Sequence, residues 1–133
     1  MNTDTDPKAK HGAEKPQLHL IPPAGNEEQA KALACGRDKY GERNWLRNRV
    51  GMRTYLSAMK RHIDCVLDGE DIDKESGAHH LGHVMAGCSI VLDARRHGTL
   101  VDDRVLPETP LIPLAPGFRP LAPSSVQPPR TAC

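Results

Sequence analysis

Carboxylates and imidazoles cluster in one segment of the chain, GEDIDKESGAHHLGH at residues 69–83. The acids Glu70, Asp73 and Glu75 come directly before His80 and His83, which are three residues apart and would share one face of a helix. Imidazole with carboxylate can hold Zn²⁺ or Mn²⁺, whereas carboxylates alone favour Mg²⁺. The segment therefore predicts a metal site formed by these five residues.

His62 precedes the same segment and is a possible extra ligand. It would point toward the acids and histidines if the two flanking helices form an antiparallel hairpin. The alternative is a hydrogen-bonded histidine between two helices. His79 is expected to be an exposed helix residue.

Two blocks of opposite charge lie side by side along the chain. Eight basic and two acidic residues stand between positions 37 and 61, and six acidic residues and one lysine stand between 62 and 77. A basic surface beside carboxylates suits a phosphorylated ligand that binds with a divalent cation. Lys39, Arg43 and Arg61 are the predicted phosphate contacts. The alternative is that both blocks are solvated faces that complement each other.

Two aromatic residues, Tyr40 and Trp45, stand within the basic block. An aromatic ring beside cations can stack on a nucleotide base while the cations steer its phosphates. Trp45 could equally anchor the packing of a small helical domain. The sequence predicts base stacking by Tyr40 and Trp45 and leaves the packing role open.

Helical periodicity predicts the elements that position these residues. A capping-box pattern at residues 26–29 predicts a helix over 27–36, and Gly36 and Gly41 then predict a loop. Apolar residues at helical spacing predict a second helix over 54–68 and a third that Ser76 caps and Gly98 ends. No segment alternates with a period of two. The predicted fold is all-α, a small bundle of about three core helices.

The flanking segments differ from this helical domain at residues 16–98. Residues 1–15 lack an apolar period and are expected to be a disordered tail. Residues 99–133 are rich in proline and are expected to be an extended arm. Four separated cysteines without a CxxC pair suit a reducing, cytoplasmic setting. The chain has neither an apolar secretion signal nor an apolar run of about 20 residues, so we expect no membrane partner.

The net charge and the apolar content of the chain indicate which binding partners to expect. The net charge of +1 argues against a general nucleic-acid binder. The apolar supply of the second and third helices is too large for one short helix to cover, so we expect a homo-oligomer with its interface there. The residues concerned are Leu56, Met59, Ile63, Val66, Leu81, Val84, Val91 and Leu92.

Four segments in this order, KPQLHLIPP, GRDKYGERNW, YLSAMKRH and GEDIDKESGAHHLGH, resemble a family of mostly phage-encoded proteins. The family is the N-terminal domain of dATP/dGTP diphosphohydrolase, related to the MazG-like all-α nucleotide pyrophosphohydrolases. The resemblance covers roughly residues 15–97. It implies hydrolysis of a deoxypurine triphosphate to monophosphate and pyrophosphate, with Mg²⁺ or Mn²⁺ held by acidic side chains in a helical bundle. Glu75 is then the predicted catalytic base.

The chain departs from the MazG-like pattern of EExxE on one helix and ExxD on the next. Lys31 stands where a third acid would follow Glu27 and Glu28, and His80 and His83 replace the second pair. A metal site rebuilt from Glu70, Asp73, Glu75 and the histidines would retain the activity. Two alternatives are a transition-metal phosphohydrolase centred on the histidines, which would hold Zn²⁺, and a non-catalytic interaction module.

Overall fold

A computed structural model describes residues 6–108 of the chain. Its helices are α1 (Pro7–Gly12), α2 (Pro23–Tyr40), α3 (Met52–Leu67) and α4 (His80–His97). Two short strands, β1 (Val50–Gly51) and β2 (Leu100–Val101), pair in parallel. Short 3₁₀ turns lie at Leu18–Leu20 and Asn44–Leu46. The prediction of an all-α fold is confirmed, and the small sheet is a feature that the sequence did not predict.

The helix boundaries differ from the predicted ones for local reasons. α2 starts at Pro23, because proline suits the first helical turn, and it continues through Gly36 to Tyr40, so the predicted loop begins only at Gly41. α4 starts at His80 rather than near Ser76. The side chain of His79 accepts a hydrogen bond from the Leu81 backbone N–H, so His79 caps α4 instead of lying within it.

The N-terminal residues also differ from the prediction. α1 forms within residues 1–15, where the sequence predicts no regular structure. Asp6 caps this short helix by accepting a hydrogen bond from the Lys8 backbone N–H, and the helix begins at Pro7. α1 has no buried residue.

α4 is the central helix and packs against both α2 and α3. The contacts are close because small residues line them. A methyl group on Gly82 would lie 2.5 Å from the Glu28 carbonyl oxygen, and one on Gly87 would lie 2.7 Å from Met59 Cγ. The buried cluster Ala32, Ala78 and Ala86 fills the same layer.

The predicted C-terminal arm begins inside the folded domain. β2 pairs with β1 in the register Val50 to Leu100. Asp103, with 1% of its surface exposed, then accepts a hydrogen bond from the Arg53 backbone N–H at 2.8 Å and so caps α3. The rest of the predicted arm, residues 109–133, lies outside the described residues. No helix in the described part of the chain is long and apolar enough to span a membrane.

The apolar stripes of α3 and α4 lie largely on the outside of the fold. Met59 is buried, but Leu56, Ile63, Leu81 and Leu92 have 40–63% of their surfaces exposed. The buried face of α4 consists instead of small residues and two histidines, His80 and His83. The expected oligomer is not visible in a single chain and stays a prediction.

Candidate functional site

A cavity of about 300 Å³ lies between α2, α3, α4 and the 3₁₀ turn that follows α2. Four buried residues form part of its floor: Ala32, Ala58, Met59 and Ala86. Exposed side chains form part of its rim: Arg37, Tyr40, Glu42 and Arg43. An apolar floor with a few polar groups at the edge is the usual form of a small-molecule site.

Both predicted base-stacking residues line this cavity. Trp45 is held firmly, because its indole Nε1–H donates a 2.8 Å hydrogen bond to Asp93 Oδ2 on α4. The Thr99 hydroxyl donates to the Trp45 carbonyl oxygen at 2.6 Å. Trp45 therefore both anchors the packing and faces the cavity. Tyr40 stands at the end of α2 with 43% of its surface exposed.

The three predicted phosphate contacts have different positions. Arg43 lines the cavity, and its φ of 49° places it in the left-handed region that side-chain-bearing residues rarely adopt. Lys39 pairs with Glu75 and lines a second cavity beside Ser76. Arg61 is exposed on α3 and is absent from the linings of these two cavities.

Two histidines, His62 from α3 and His83 from α4, complete the cavity wall. Their rings are stacked, with centroids 4.4 Å apart and planes at 6°. Burial lowers the pKa of His83, although the Asp73 carboxylate acts in the opposite direction. Burial also lowers the pKa of His62, and repulsion from positive charge on His83 or His80 adds to this. Both imidazoles are therefore neutral at neutral pH and can accept a proton.

Asp73 and Ser76 hold His83 in place. His83 Nε2 lies 3.0 Å from Asp73 Oδ2 and 2.7 Å from Ser76 Oγ, and the Ser76 hydroxyl donates to Asp73 Oδ2 at 2.8 Å. A lone pair on His83 Nε2 would be repelled by the Asp73 carboxylate. His83 Nε2 therefore carries the proton, and His83 Nδ1 is the acceptor.

The Asp73 carboxylate stays ionised in this arrangement. Burial acts to raise the pKa of Asp73, but hydrogen bonds from Ser76 and from the Glu75 backbone N–H, together with the positive charge that His83 gains at low pH, hold it below its ordinary value. Asp73 and His83 therefore form a carboxylate–imidazole pair, the usual arrangement of a general base.

The comparisons with known proteins agree with the resemblance seen in the sequence. The family model described as "dATP/dGTP diphosphohydrolase, N-terminal" matches residues 5–104. The chain belongs to this family. A Salmonella phage PMBT28 protein named "dATP/dGTP diphosphohydrolase" is 36% identical over 90 residues, which are 68% of this chain and 30% of the phage protein. The chain thus spans about a third of that relative's length. No solved structure matches.

In this member of the dATP/dGTP diphosphohydrolase N-terminal family, the predicted metal ligands are divided among three places. Asp73 pairs with His83, and Glu75 pairs with Lys39. Glu70 Oε1 lies 3.5 Å from His80 Nε2. Among the described residues, the donors that gather within 4.8 Å of one another belong to Cys65, Glu70 and His80.

The histidines do not surround one point. His62 and His83 are stacked, and imidazole lone pairs lie in the ring plane, so the two parallel rings do not aim at one ion. His62 Nδ1 instead lies 2.8 Å from His80 Nδ1, which makes it a contact between helices. The structure thus favours the interhelical role for His62 while placing it on the cavity wall.

Sequence reasoning missed two residues at this site. Cys65 follows His62 by three residues and so shares its helix face, which is a signal that spacing could have supplied. Glu28 Oε2 accepts a 2.7 Å hydrogen bond from the His79 backbone N–H and ties α2 to the start of α4. No local pattern reveals a contact across 51 residues.

Proposed function

We propose that this chain binds a deoxypurine nucleoside triphosphate and hydrolyses it to the monophosphate and pyrophosphate. One observation carries the proposal: a single cavity is lined by Tyr40 and Trp45, by Arg43, and by the histidines His62 and His83. The name of the Salmonella phage relative supports the same substrate class. A purine has the larger π-face for stacking, which favours it over a pyrimidine.

The lining residues suggest how the nucleotide lies. The base rests on the apolar floor beside Trp45, because apolar side chains pack well against an aromatic ring but offer little to a phosphate. The phosphates extend to the rim, where Arg37 and Arg43 donate charge-assisted hydrogen bonds. Arg37 joins the predicted phosphate contact Arg43 here.

We propose that His83, supported by Asp73, is the general base. A water oxygen forms a bond to the α-phosphorus as the phosphoanhydride bond between the α- and β-phosphates breaks. Pyrophosphate leaves with the electron pair of the broken bond. His83 Nδ1 accepts the proton of the water, and Asp73 stabilises the resulting imidazolium at Nε2. Glu75, the base predicted from the sequence, pairs with Lys39 and lines the other cavity.

We further propose that Mg²⁺ or Mn²⁺ accompanies the triphosphate. Mg²⁺ keeps several waters and needs only one or two carboxylates besides the substrate phosphates, so a gathered protein site is not required. Glu42, an exposed carboxylate on the rim of the same cavity, fits that role. Such a cation would neutralise phosphate charge at the rim of the cavity.

A product assay tests this function. The purified full chain is incubated with each of the four deoxynucleoside triphosphates and Mg²⁺ or Mn²⁺, and ³¹P NMR follows the products. We expect monophosphate and pyrophosphate from dATP and dGTP. Release of orthophosphate would mean a different hydrolase, and no product from any of the four would favour the non-catalytic interaction module.

A further inference from the structure

Three side chains of metal-ligating types meet beside the cavity but outside its lining. Cys65 lies near the end of α3, Glu70 in the following loop, and His80 at the start of α4. The Glu70 backbone N–H donates to the Cys65 carbonyl oxygen at 2.9 Å, which folds the loop back on the helix. The three donor atoms lie within 4.8 Å of one another.

His80 supplies the observation that points to a ligand. Its side chain is only 4% exposed, and its Nε2 has no hydrogen-bond partner among residues 6–108. Glu70 Oε1, at 3.5 Å, lacks the geometry of a hydrogen bond to this nitrogen. A buried nitrogen left in this state is costly, so an unpartnered one in a native fold calls for an explanation.

We infer that Cys65, Glu70 and His80 bind a transition-metal ion of the Zn²⁺ type. Thiolate, imidazole and carboxylate are the three zinc ligands in proteins, and a thiolate excludes Mg²⁺ as the preferred ion. Zinc bond lengths place tetrahedral ligands about 3.3–3.8 Å apart, and the Glu70 to His80 distance of 3.5 Å already falls there. Three protein ligands leave a fourth position for water or another small ligand.

The second nitrogen of His80 connects this site to the cavity wall. A metal on Nε2 places the imidazole proton on Nδ1, and His80 Nδ1 then donates to His62 Nδ1 at 2.8 Å. His62 must in turn carry its own proton on Nε2. The ion therefore fixes the tautomer of His62, a residue of the cavity wall, and so acts on the cavity without entering it.

The site does not depend on the proposed hydrolase function, because its evidence is the donor set and the unpartnered His80 nitrogen. A simpler interpretation gives Cys65 the role of a small half-buried apolar residue and leaves His80 and Glu70 as an ion pair. The two interpretations differ in whether a thiolate–metal bond can form. A spectroscopic probe of that bond therefore separates them.

Cobalt titration tests the inference. Co²⁺ replaces Zn²⁺ in tetrahedral sites, and a cobalt–thiolate bond absorbs in the near ultraviolet. The reduced full chain titrated with Co²⁺ should develop this band, and Zn²⁺ should abolish it. Cys65→Ser should remove the band, whereas the control Cys35→Ser, also half-buried but outside the cluster, should keep it.

A second variant guards against misfolding of Cys65→Ser. Glu70 is exposed in a loop, so Glu70→Gln should fold normally, as circular dichroism would verify. It should weaken cobalt binding by at least about tenfold, since even an outer partner of a ligand contributes that much. Absence of the band in the unsubstituted chain, a band that survives Cys65→Ser, or unchanged affinity in Glu70→Gln would each overturn the inference.

Discussion

The chemistry that we propose for this protein depends on how a few side chains set the protonation of their neighbours. His83 is neutral because it is buried, and the ionised Asp73 orients it by accepting a hydrogen bond from its Nε2–H. Neither property can be read from the spacing of His80 and His83, because both depend on which loop residues fold against the helix. Sequence reasoning therefore grouped His83 with Asp73, its partner in the structure, but also with Glu70, Glu75 and His80, which the fold pairs differently.

A histidine substitution tests the role of the base. We expect His83→Gln to lower the hydrolysis rate by about 10²–10⁴-fold, because the proton acceptor is lost while the amide can still bond Ser76. Binding of the nucleotide, measured separately by calorimetry, should change little. His11→Gln on the exposed helix α1 is the matched control and should keep full activity. Equal loss in rate and in binding would contradict the assignment.

The elements are held together by close backbone contacts that a local pattern does not reveal. Periodicity predicted α3 and α4 within a few residues, since both carry strong apolar repeats and end at glycine-containing turns. The predicted α2 was too short, because Gly36 was interpreted as the end of the helix. One glycine inside a helix costs only about 1 kcal/mol, so the helix continues through it. Periodicity also does not predict that Asp103 caps α3 or that His79 caps α4.

Two glycine substitutions should move the stability in opposite directions. Gly82→Ala places a methyl group 2.5 Å from the Glu28 carbonyl oxygen, so α2 and α4 must separate. We expect a loss of about 1–3 kcal/mol in the free energy of unfolding, typical of overpacking. Gly36→Ala meets no atom within 4 Å and should gain about 0.5–1 kcal/mol from helix propensity. Urea unfolding of both variants measures this, and a neutral Gly82→Ala would contradict the close contact.

The tie between α2 and α4 should be sensitive to acid. The His79 backbone N–H, followed by the Lys31 ammonium, holds the pKa of Glu28 below its ordinary value of 4.5. A carboxylate with a depressed folded-state pKa stabilises the fold above its unfolded pKa and loses that effect as the pH falls through the folded one.

We therefore expect Glu28→Gln to lower the Tm at neutral pH, with the difference from the unsubstituted chain shrinking as the pH falls below 4.5. Glu27→Gln, its exposed neighbour on α2, is the matched control and should show little difference at any pH. A difference for Glu28→Gln that does not change with pH would show that its charge is not involved.

At the scale of the molecule, residues 6–108 have a core of mostly small residues and exposed apolar side chains on α3 and α4. Leu56, Ile63, Leu81 and Leu92 are exposed there, as the predicted interface requires. Light scattering at micromolar concentration should give a mass above that of one chain. Leu92→Lys should reduce the mass, whereas Leu18→Lys on the exposed 3₁₀ turn before α2 should not. A folded monomer in the unsubstituted chain would contradict the prediction.

The central claim is that one cavity binds a purine nucleotide with its base beside Trp45, and the fluorescence of that residue tests it most directly. Trp45 is the single tryptophan of the chain, so its emission reports on this cavity alone. Titration with dATP or dGTP should quench the emission saturably, and more strongly than dTTP or dCTP at equal concentration, because the larger base stacks better. Inorganic tripolyphosphate, which has no base, should leave the emission nearly unchanged. Absence of saturable quenching by dATP and dGTP, or equal quenching by tripolyphosphate, would contradict the account.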